Sequence, residues 1–242
     1  VGDLASDNLI WSGTTAGYDQ IGNNNILADN TIVEGIWAGI YAGLNRINNV
    51  ADRIPLIEDM SQDRKNQALA ELYFLRALHH YDLFRLFGPV PIRIAPARGS
   101  EADLNVPRNS ENEVLTQIVS DLGFAIDHLP QTLVRGRAGK PAAQALMARV
   151  ALHVYYLTGN AAALTEAITL AGEVISHPGI ELETDFSILF SGATSRESIF
   201  ELDFNEQDRN RLAEYFFHTT LSGRYEFAPS QSLLESFAPG DL

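Results

Sequence analysis

One run constrains what this chain can fold into. Ala68-Leu69-Ala70-Glu71-Leu72-Tyr73-Phe74-Leu75-Arg76-Ala77-Leu78-His79-His80-Tyr81-Asp82-Leu83-Phe84-Arg85-Leu86-Phe87 keeps helical periodicity for about five turns and then stops at Gly88-Pro89-Val90-Pro91. Leu72, Leu75, Leu78 with His79, Asp82 with Leu83, and Leu86 with Phe87 recur at three-and-four spacing, which stacks side chains on one helical face, and Tyr73, Phe74, Tyr81 and Phe84 widen that face. So broad an apolar surface predicts a helix packed on two sides. Gly88 supplies a permissive C-terminal residue, and the two prolines remove donors and push their predecessors to extended geometry, so the helix ends near Phe87.

Helical spacing recurs along the chain. Ile36, Trp37, Ile40, Tyr41, Leu44, Ile47 and Val50 predict a helix to about Arg53 before Pro55, with Thr31 and Glu34 in capping-box spacing at its start. Ser110-Glu111-Asn112-Glu113 is a second capping box, opening a helix that runs to Pro130. Lys140-Pro141 starts another, because proline is favourable in the first turn; Ala142, Ala145, Leu146, Val150 and Val154 give it a small-residue face, and it ends at Thr158-Gly159-Asn160. A further helix is expected from Ala161 to Ser176. Starts at 31, 61, 110 and 140 pair off into hairpins, so the expected fold is all-α, with tetratricopeptide-like helix hairpins rather than a four-helix bundle. Residues 1–30, rich in Gly, Asn, Asp, Ser and Thr, read as a structured loop, and 93–109 as a second loop. From Pro178 onward the pattern is irregular, with a short strand expected near 199–204. The whole, 1–242, is expected to be a single domain: a loop-rich segment over 1–30, a helical scaffold over 31–177 and an irregular portion over 178–242.

Composition narrows the function. A net charge of −14 argues against nucleic-acid binding, which needs Lys and Arg to displace counterions from phosphates, and against adhesion to anionic lipid headgroups. With no cysteine, disulfides, thiolate catalysis and cysteine-ligated zinc are excluded. No stretch approaches the ~20 apolar residues of a membrane span, and no signal peptide is visible. The start at Val1 and the loop-like end over 238–242 read as a processed or trimmed piece.

Candidate chemistry is sparse in the helices. Glycosidase catalysis needs two carboxylates ~5 to 10 Å apart, one with a raised pKa. Glu71, Asp82, Asp185, Glu201 and Asp203 can be nominated, but no motif fixes a partner for any of them, and solvated or capping roles are favoured. His79 and His80 are neighbours that point to different faces, no His-x-x-x-His pair exists for zinc, and no cofactor or metal is expected. Gly136-Arg137-Ala138-Gly139-Lys140-Pro141 is too short for a phosphate loop and reads as a helix start. The N-terminal loop is different. Sugars bind to flat aromatic faces flanked by carboxylate and amide groups carried on loops. Asp7, Asn8, Trp11, Tyr18, Asp19 and Asn23 to Asn25 supply that chemistry, against the alternative that Trp11 caps the core and the Asn run makes turns. Arg93, Arg98 and Arg108 read as a solvated loop, and Trp37 and Tyr41 as core.

The central run also carries a resemblance. "AELYFLRALHHYDLFRLFGPVPI" resembles the Ala-Glu-x-x-Phe-Leu-Arg-Ala…Tyr-x-x-Leu-x-x-x-(Phe/Tyr)-Gly-x-Val-Pro helix of SusD/RagB-type outer-membrane glycan-binding lipoproteins. "IWAGIYAGLNRINNVADRI", with Trp37, Tyr41, Leu44 and Asn48, "GKPAAQALMARVALHVYYLTGN" and "ESIFELDFN" resemble three further segments of that family. The resemblance implies a SusD-like α-α superhelix. It implies a non-catalytic protein that binds an oligosaccharide or polysaccharide and closes over a SusC-like TonB-dependent transporter. It also implies a place on the outer-membrane surface, through a lipidated Cys upstream of residue 1, and relatives longer at both ends. "DLASDNLIW" resembles the glycan-contacting segment before the family's Trp-x-x-x-Tyr helix, which assigns Asp7, Asn8 and Trp11 to ligand binding; Tyr18 joins them on its chemistry. Two alternatives stay open: a tetratricopeptide-type adaptor holding an extended peptide, and an all-α glycoside hydrolase.

Overall fold

The computed structural model describes residues 2–100, 105–192, 194–205, 207, 209–238 and 240. The chain divides into two compact units, one of residues 40–203 and one of residues 1–39 with 204–242, the division falling inside a long helix after Gly39. No helix among the described residues is long and apolar enough to cross a membrane.

The 40–203 unit is helical. It holds most of α3 (Thr31–Arg53), then α4 (Gln62–Phe87), α5 (Glu111–His128), α6 (Lys140–Thr158) and α7 (Ala161–Ile175). Each lies within a residue or two of the span its periodicity predicts. Ser110 and Glu113 make the expected reciprocal cap of α5, and Gly159, left-handed at φ 70°, ends α6. The start of α3 differs from expectation. Asn30 caps it instead of Thr31, its side-chain oxygen accepting from the amides of Ile32 (3.0 Å) and Val33 (3.1 Å) while its amide donates to Gln20 Oε1 (2.7 Å) and to the Gly17 carbonyl (3.0 Å).

Consecutive helices run antiparallel. Gly43 of α3 lies under His79 of α4, where a Cβ would meet the imidazole at 2.5 Å. Tyr73 of α4 packs on Phe124 of α5 at 5.0 Å between centroids, while Arg76 reaches Asp121 one turn back. Gln144 near the start of α6 donates to Glu173 near the end of α7. The buried face of α4 takes in Ala70, Phe74, Ala77, Tyr81, Leu83 and Phe84, so of the expected surface Leu83 and three of the widening aromatics go inside. Leu72, Leu75 and Leu78 are half-buried and Leu86 is exposed. Two polar residues shift the face, since Arg76 and His80 go inside only where partners await them.

Those partners organise the unit. Arg76, 6% exposed, gives two hydrogen bonds to Asp121, 2% exposed, at 2.8 and 2.6 Å. Its guanidinium also reaches Asn48 Oδ1 of α3 (3.3 Å) and stacks over Tyr73 (4.1 Å). Gln117 holds the same carboxylate at 2.9 Å. Burial opposes the charge on Arg76, and the bonds and charge of Asp121 more than offset it, so its pKa is raised; burial pushes the Asp121 carboxyl up against the same bonds. The segment after α4 lies across this pair. His80 accepts from the Arg93 amide (3.2 Å), Asn48 donates to the carbonyls of Arg93 and Ala95, and the Tyr41 hydroxyl donates to the Pro91 carbonyl (2.8 Å), with burial raising that phenol to about 12. Residues 101–104 of the expected 93–109 loop lie outside the described residues.

The short strand expected at 199–204 does not form. Among the described residues no strand runs beside it, and its carboxylates turn to a cation instead, Glu201 and Asp203 meeting Arg135 at 2.8 and 3.2 Å. The expected loop over residues 1–30 is also corrected. It contains α1 (Gly2–Ala5), β1 (Leu9–Trp11) and α2 (Ala16–Gly22). Leu4 and Ile21, 1% and 0% exposed, are its small core. Its strand partner, β2 (Phe227–Pro229), is over two hundred residues downstream, flanked by α8 (Leu212–Phe216) and α9 (Gln231–Ser236), so no local period announces the pairing.

Replacing Asp121 by Ala leaves Arg76 buried and unpaired, and should lower unfolding free energy by about 3–5 kcal/mol in urea titrations at pH 7. His80 supplies a pH test. Burial, above all, holds it near 4 in the fold, against 6.5 for the free side chain. The unfolded chain therefore binds the proton first, and stability is lost as pH falls from about 6.5 to 4, by up to about 3 kcal/mol from this group. In His80→Gln, which still accepts from the Arg93 amide, the fall across that window should be smaller by this amount.

Candidate functional site

The four sequence candidates all lie in the 1–39 with 204–242 unit, where the β1–β2 ladder gathers two of them and uses the others as ties. Antiparallel register sets Leu9 opposite Pro229, Ile10 opposite Ala228 and Trp11 opposite Phe227. Opposite residues point to one face, so Trp11 and Phe227 meet at 4.9 Å between ring centroids. Tyr18, carried in by α2, packs on Trp11 at 4.7 Å and on Phe227 at 5.3 Å. Tyr215 and Phe216 of α8 close the group at 5.7 and 5.5 Å from Phe227. Trp11, Tyr18, Tyr215 and Phe227 are half-buried, and Phe216, Phe217 and Tyr225 extend the patch into solvent.

Asp7 and Asn8 do different work. Their carbonyls accept from the hydroxyl and amide of Ser230, the residue that caps α9, so their backbone pins the start of that helix. The Asp7 carboxylate accepts from Ser232 at 3.3 Å. The asparagine run makes turns: Asn23 bonds Asp19, Asn24 is left-handed at φ 51°, and the Asn25 amide donates to Gln20.

The patch is set by what folds back from α8. Amides of Arg224, Tyr225 and Glu226 donate to carbonyls of Glu214, Phe217 and Tyr215, and Gly223 permits the reversal because a Cβ there would lie 2.0 Å from the Phe217 oxygen. Arg224 then sits 4.9 Å from the Tyr215 ring centroid and bonds Glu226 at 2.7 Å. Tyr18's phenol is raised, by burial first and by Tyr215. Among the described residues two buried side-chain polar atoms have no hydrogen-bond partner, Trp11 Nε1 and Glu226 Oε2. Both side chains crowd Gly13, whose Cβ would lie 2.3 Å from Trp11 Cζ2 and 2.9 Å from the Glu226 carboxyl carbon. Tyr215, Arg224, Glu226 and Phe227 were not singled out from sequence; the signal available was the alternation Arg224-Tyr225-Glu226-Phe227 after Gly223.

The nominated carboxylates are occupied elsewhere. Glu71 takes both oxygens to Arg137 at 2.7 Å, Asp185 caps a short turn through Ser187, which lowers its pKa, and Glu201 and Asp203 share Arg135. Asp82 is raised by burial and stands 3.7 Å from Arg85. Among the described residues no group of three or more His, Cys, Asp or Glu could hold a metal ion. In the stretch Gly136 to Pro141 the helix begins only at Lys140, with Pro141 in its first turn; Gly136, left-handed at φ 73°, lies in the turn before it.

Comparison with known proteins follows the same lines. Residues 2–152 match the sequence profile of the SusD-like family described as starch-binding and associating with the outer membrane. The chain belongs to this SusD-like family. It is 31% identical over 211 residues to SusD-like protein P2 of Formosa agariphila, covering 85% of this chain and 40% of that one. A laminarin-binding SusD-like protein superposes with a TM-score of 0.72 at 26% identity, over 82% of this chain and 44% of its own. A crystal structure with a xylogluco-oligosaccharide superposes with a TM-score of 0.77 at 25% identity, over 89% and 44%. The chain thus spans less than half the length of these relatives, and its helices share their all-α superhelical fold.

Gly13→Ala should force the Trp11 ring off its seat. The expected cost is about 1–3 kcal/mol in thermal or urea unfolding. In a Trp37→Phe background it should also shift Trp11 emission to the red, and an unshifted spectrum would mean that the ring does not pack against Gly13.

Proposed function

We propose that this SusD-like chain binds a neutral glycan without chemically altering it, and that Trp11, Tyr18 and Tyr215 form part of the surface it uses. The observation that carries the reading is the half-buried aromatic patch held by the β1–β2 ladder. Half-exposed rings offer the flat faces on which the C–H-rich faces of pyranose rings stack, and burial of such area drives binding in water. Asp7 and Asn8 lie beside β1 and bring a carboxylate and an amide within the same segment, suited to hydroxyl groups. Laminarin and xyloglucan, the glucans named for two structural relatives, give the first ligands to try.

A non-catalytic role agrees with the pairing of the candidate carboxylates. Glu71, Glu201 and Asp203 are each engaged by an arginine, so their oxygens are taken up in ion pairs of the helical unit. As part of a protein of this family, the chain would work at the outer-membrane surface, held there by a lipid anchor. It would pass captured oligosaccharide to a SusC-like TonB-dependent transporter. The family's description as outer-membrane associated supports the location.

The test is a titration of the 242-residue chain with laminari- and xylogluco-oligosaccharides, followed by calorimetry and by tryptophan emission in the Trp37→Phe background. Saturable binding, weakened at least tenfold in both Trp11→Ala and Tyr215→Ala while the melting transition stays cooperative, is the expected result. Silence across neutral glucans, or release of reducing ends from any of them, would reject the reading.

A further inference from the structure

Among the described residues, the cation that stacks on the aromatic patch is Arg224, and it is already taken. Arg224 places its guanidinium 4.9 Å from the Tyr215 ring centroid, with half of its side chain in solvent. Its Nη2 donates to Glu226 Oε1 at 2.7 Å, and the Glu226 side chain is only 15% exposed. The backbone of Glu226 is tied on both sides, and its side chain lies beside Gly13. The Glu226 amide donates to the Tyr215 carbonyl at 2.8 Å, its carbonyl accepts from the Ser12 amide at 2.9 Å, and its carboxyl carbon crowds Gly13 beside the Trp11 edge. The carboxylate is mostly buried, packed beside Gly13 and the Trp11 edge rather than extended into solvent. Its second oxygen, Oε2, is buried with no hydrogen-bond partner among the described residues.

Charge around the pair points the same way. Residues 1–39 contain five Asp or Glu and no Lys or Arg, while 204–242 contain six Asp or Glu and three Arg, of which Arg224 is the one stacked on the patch. From this geometry we infer that the Arg224–Glu226 pair makes the patch selective for uncharged glycans and against uronic-acid or sulfated ones, Glu226 occupying the guanidinium that stacks on the patch. An arginine over an aromatic ring is otherwise well suited to a carboxylate or sulfate, because its planar fork donates two parallel hydrogen bonds. Here one arm of the fork is closed by an internal carboxylate, and an incoming anion would meet that negative charge as well.

The inference deepens the proposed glycan binding and rests on it, and the experiment separates the two. Laminarin oligosaccharide and its chemically sulfated derivative are titrated into the unsubstituted chain, E226Q and the double variant R224Q/E226Q, at low and at moderate salt. The unsubstituted chain should bind the neutral form at least tenfold more tightly than the sulfated one. E226Q, which keeps the size of the side chain and removes its charge, should bind the neutral form within about twofold of the unsubstituted chain. It should gain at least tenfold for the sulfated form, with that gain falling as salt rises. In R224Q/E226Q the gain should vanish. Equal binding of both forms by the unsubstituted chain overturns the inference whether or not E226Q folds. So does a folded E226Q with no gain, or a gain that survives in the double variant. Absence of neutral-glycan binding in the unsubstituted chain rejects the glycan reading instead, and a salt-sensitive gain in E226Q would still uphold the role of the pair.

Discussion

A single buried guanidinium carries much of the order in the helical unit. Arg76 joins α4 to α5 through Asp121, to α3 through Asn48, and to the segment after α4 through the Ile94 carbonyl at 3.4 Å. A buried ion pair is weak evidence for net stability, because desolvating both charges costs about as much as their attraction returns. Its effect is on register. Apolar side chains tolerate sliding of one helix on another, whereas a bidentate pair, with its carboxylate also held by Gln117, is satisfied at one register only. Asn48 then links the guanidinium to the carbonyls of Arg93 and Ala95, so the Pro-Val-Pro segment is seated by the same network that sets the helices.

This explains how the sequence announced the fold and where it misled. Helix extents were legible because periodicity, prolines and glycines act within a few residues: Gly88 with Pro89, Lys140 with Pro141, and Gly159 each mark an end where it occurs. The apolar part of the buried face of α4 was legible, in Phe74, Tyr81, Leu83 and Phe84, and its polar part was not. Arg76 and His80 count as polar in any pattern, yet both are inside, because Asp121 is forty-five residues away and the Arg93 amide thirteen. A hydropathy pattern cannot register a partner it does not contain. The capping of α3 failed for a related reason. Thr31 and Glu34 satisfy the spacing, but Asn30 has an amide as well as an oxygen, so it can cap the helix and hold Gln20 and Gly17 together.

At the candidate site the residue types were legible and their assembly was not. Trp11 and Tyr18 stood out among small polar neighbours, and they do meet. Of their other neighbours, about two hundred positions away, Phe227 arrives through a three-residue ladder and Tyr215 on the short helix α8, and the brief alternation over 224–227 names no partner strand. Asp7 and Asn8 were read by their side chains, whereas their most definite contacts are carbonyls holding Ser230. Backbone contacts of this kind are indifferent to side-chain type, and composition cannot foretell them.

The ladder also decides what kind of surface the patch can be. With Trp11 directly opposite Phe227, a slip of one residue would send Trp11 to the other face and set Ile10 in its place, so aromatic chemistry depends on register. Register in turn depends on the ties at either end: Ser12 bonded to Glu226 on one side, Asn8 bonded to Ser230 on the other. The rings are thus held by backbone bonds and by one another, in tilted and edge-on contacts, and among the described residues the buried indole N–H of Trp11 has no hydrogen-bond partner. A surface fixed in that manner is ordered before any ligand meets it, and little conformational entropy remains to be lost when one does.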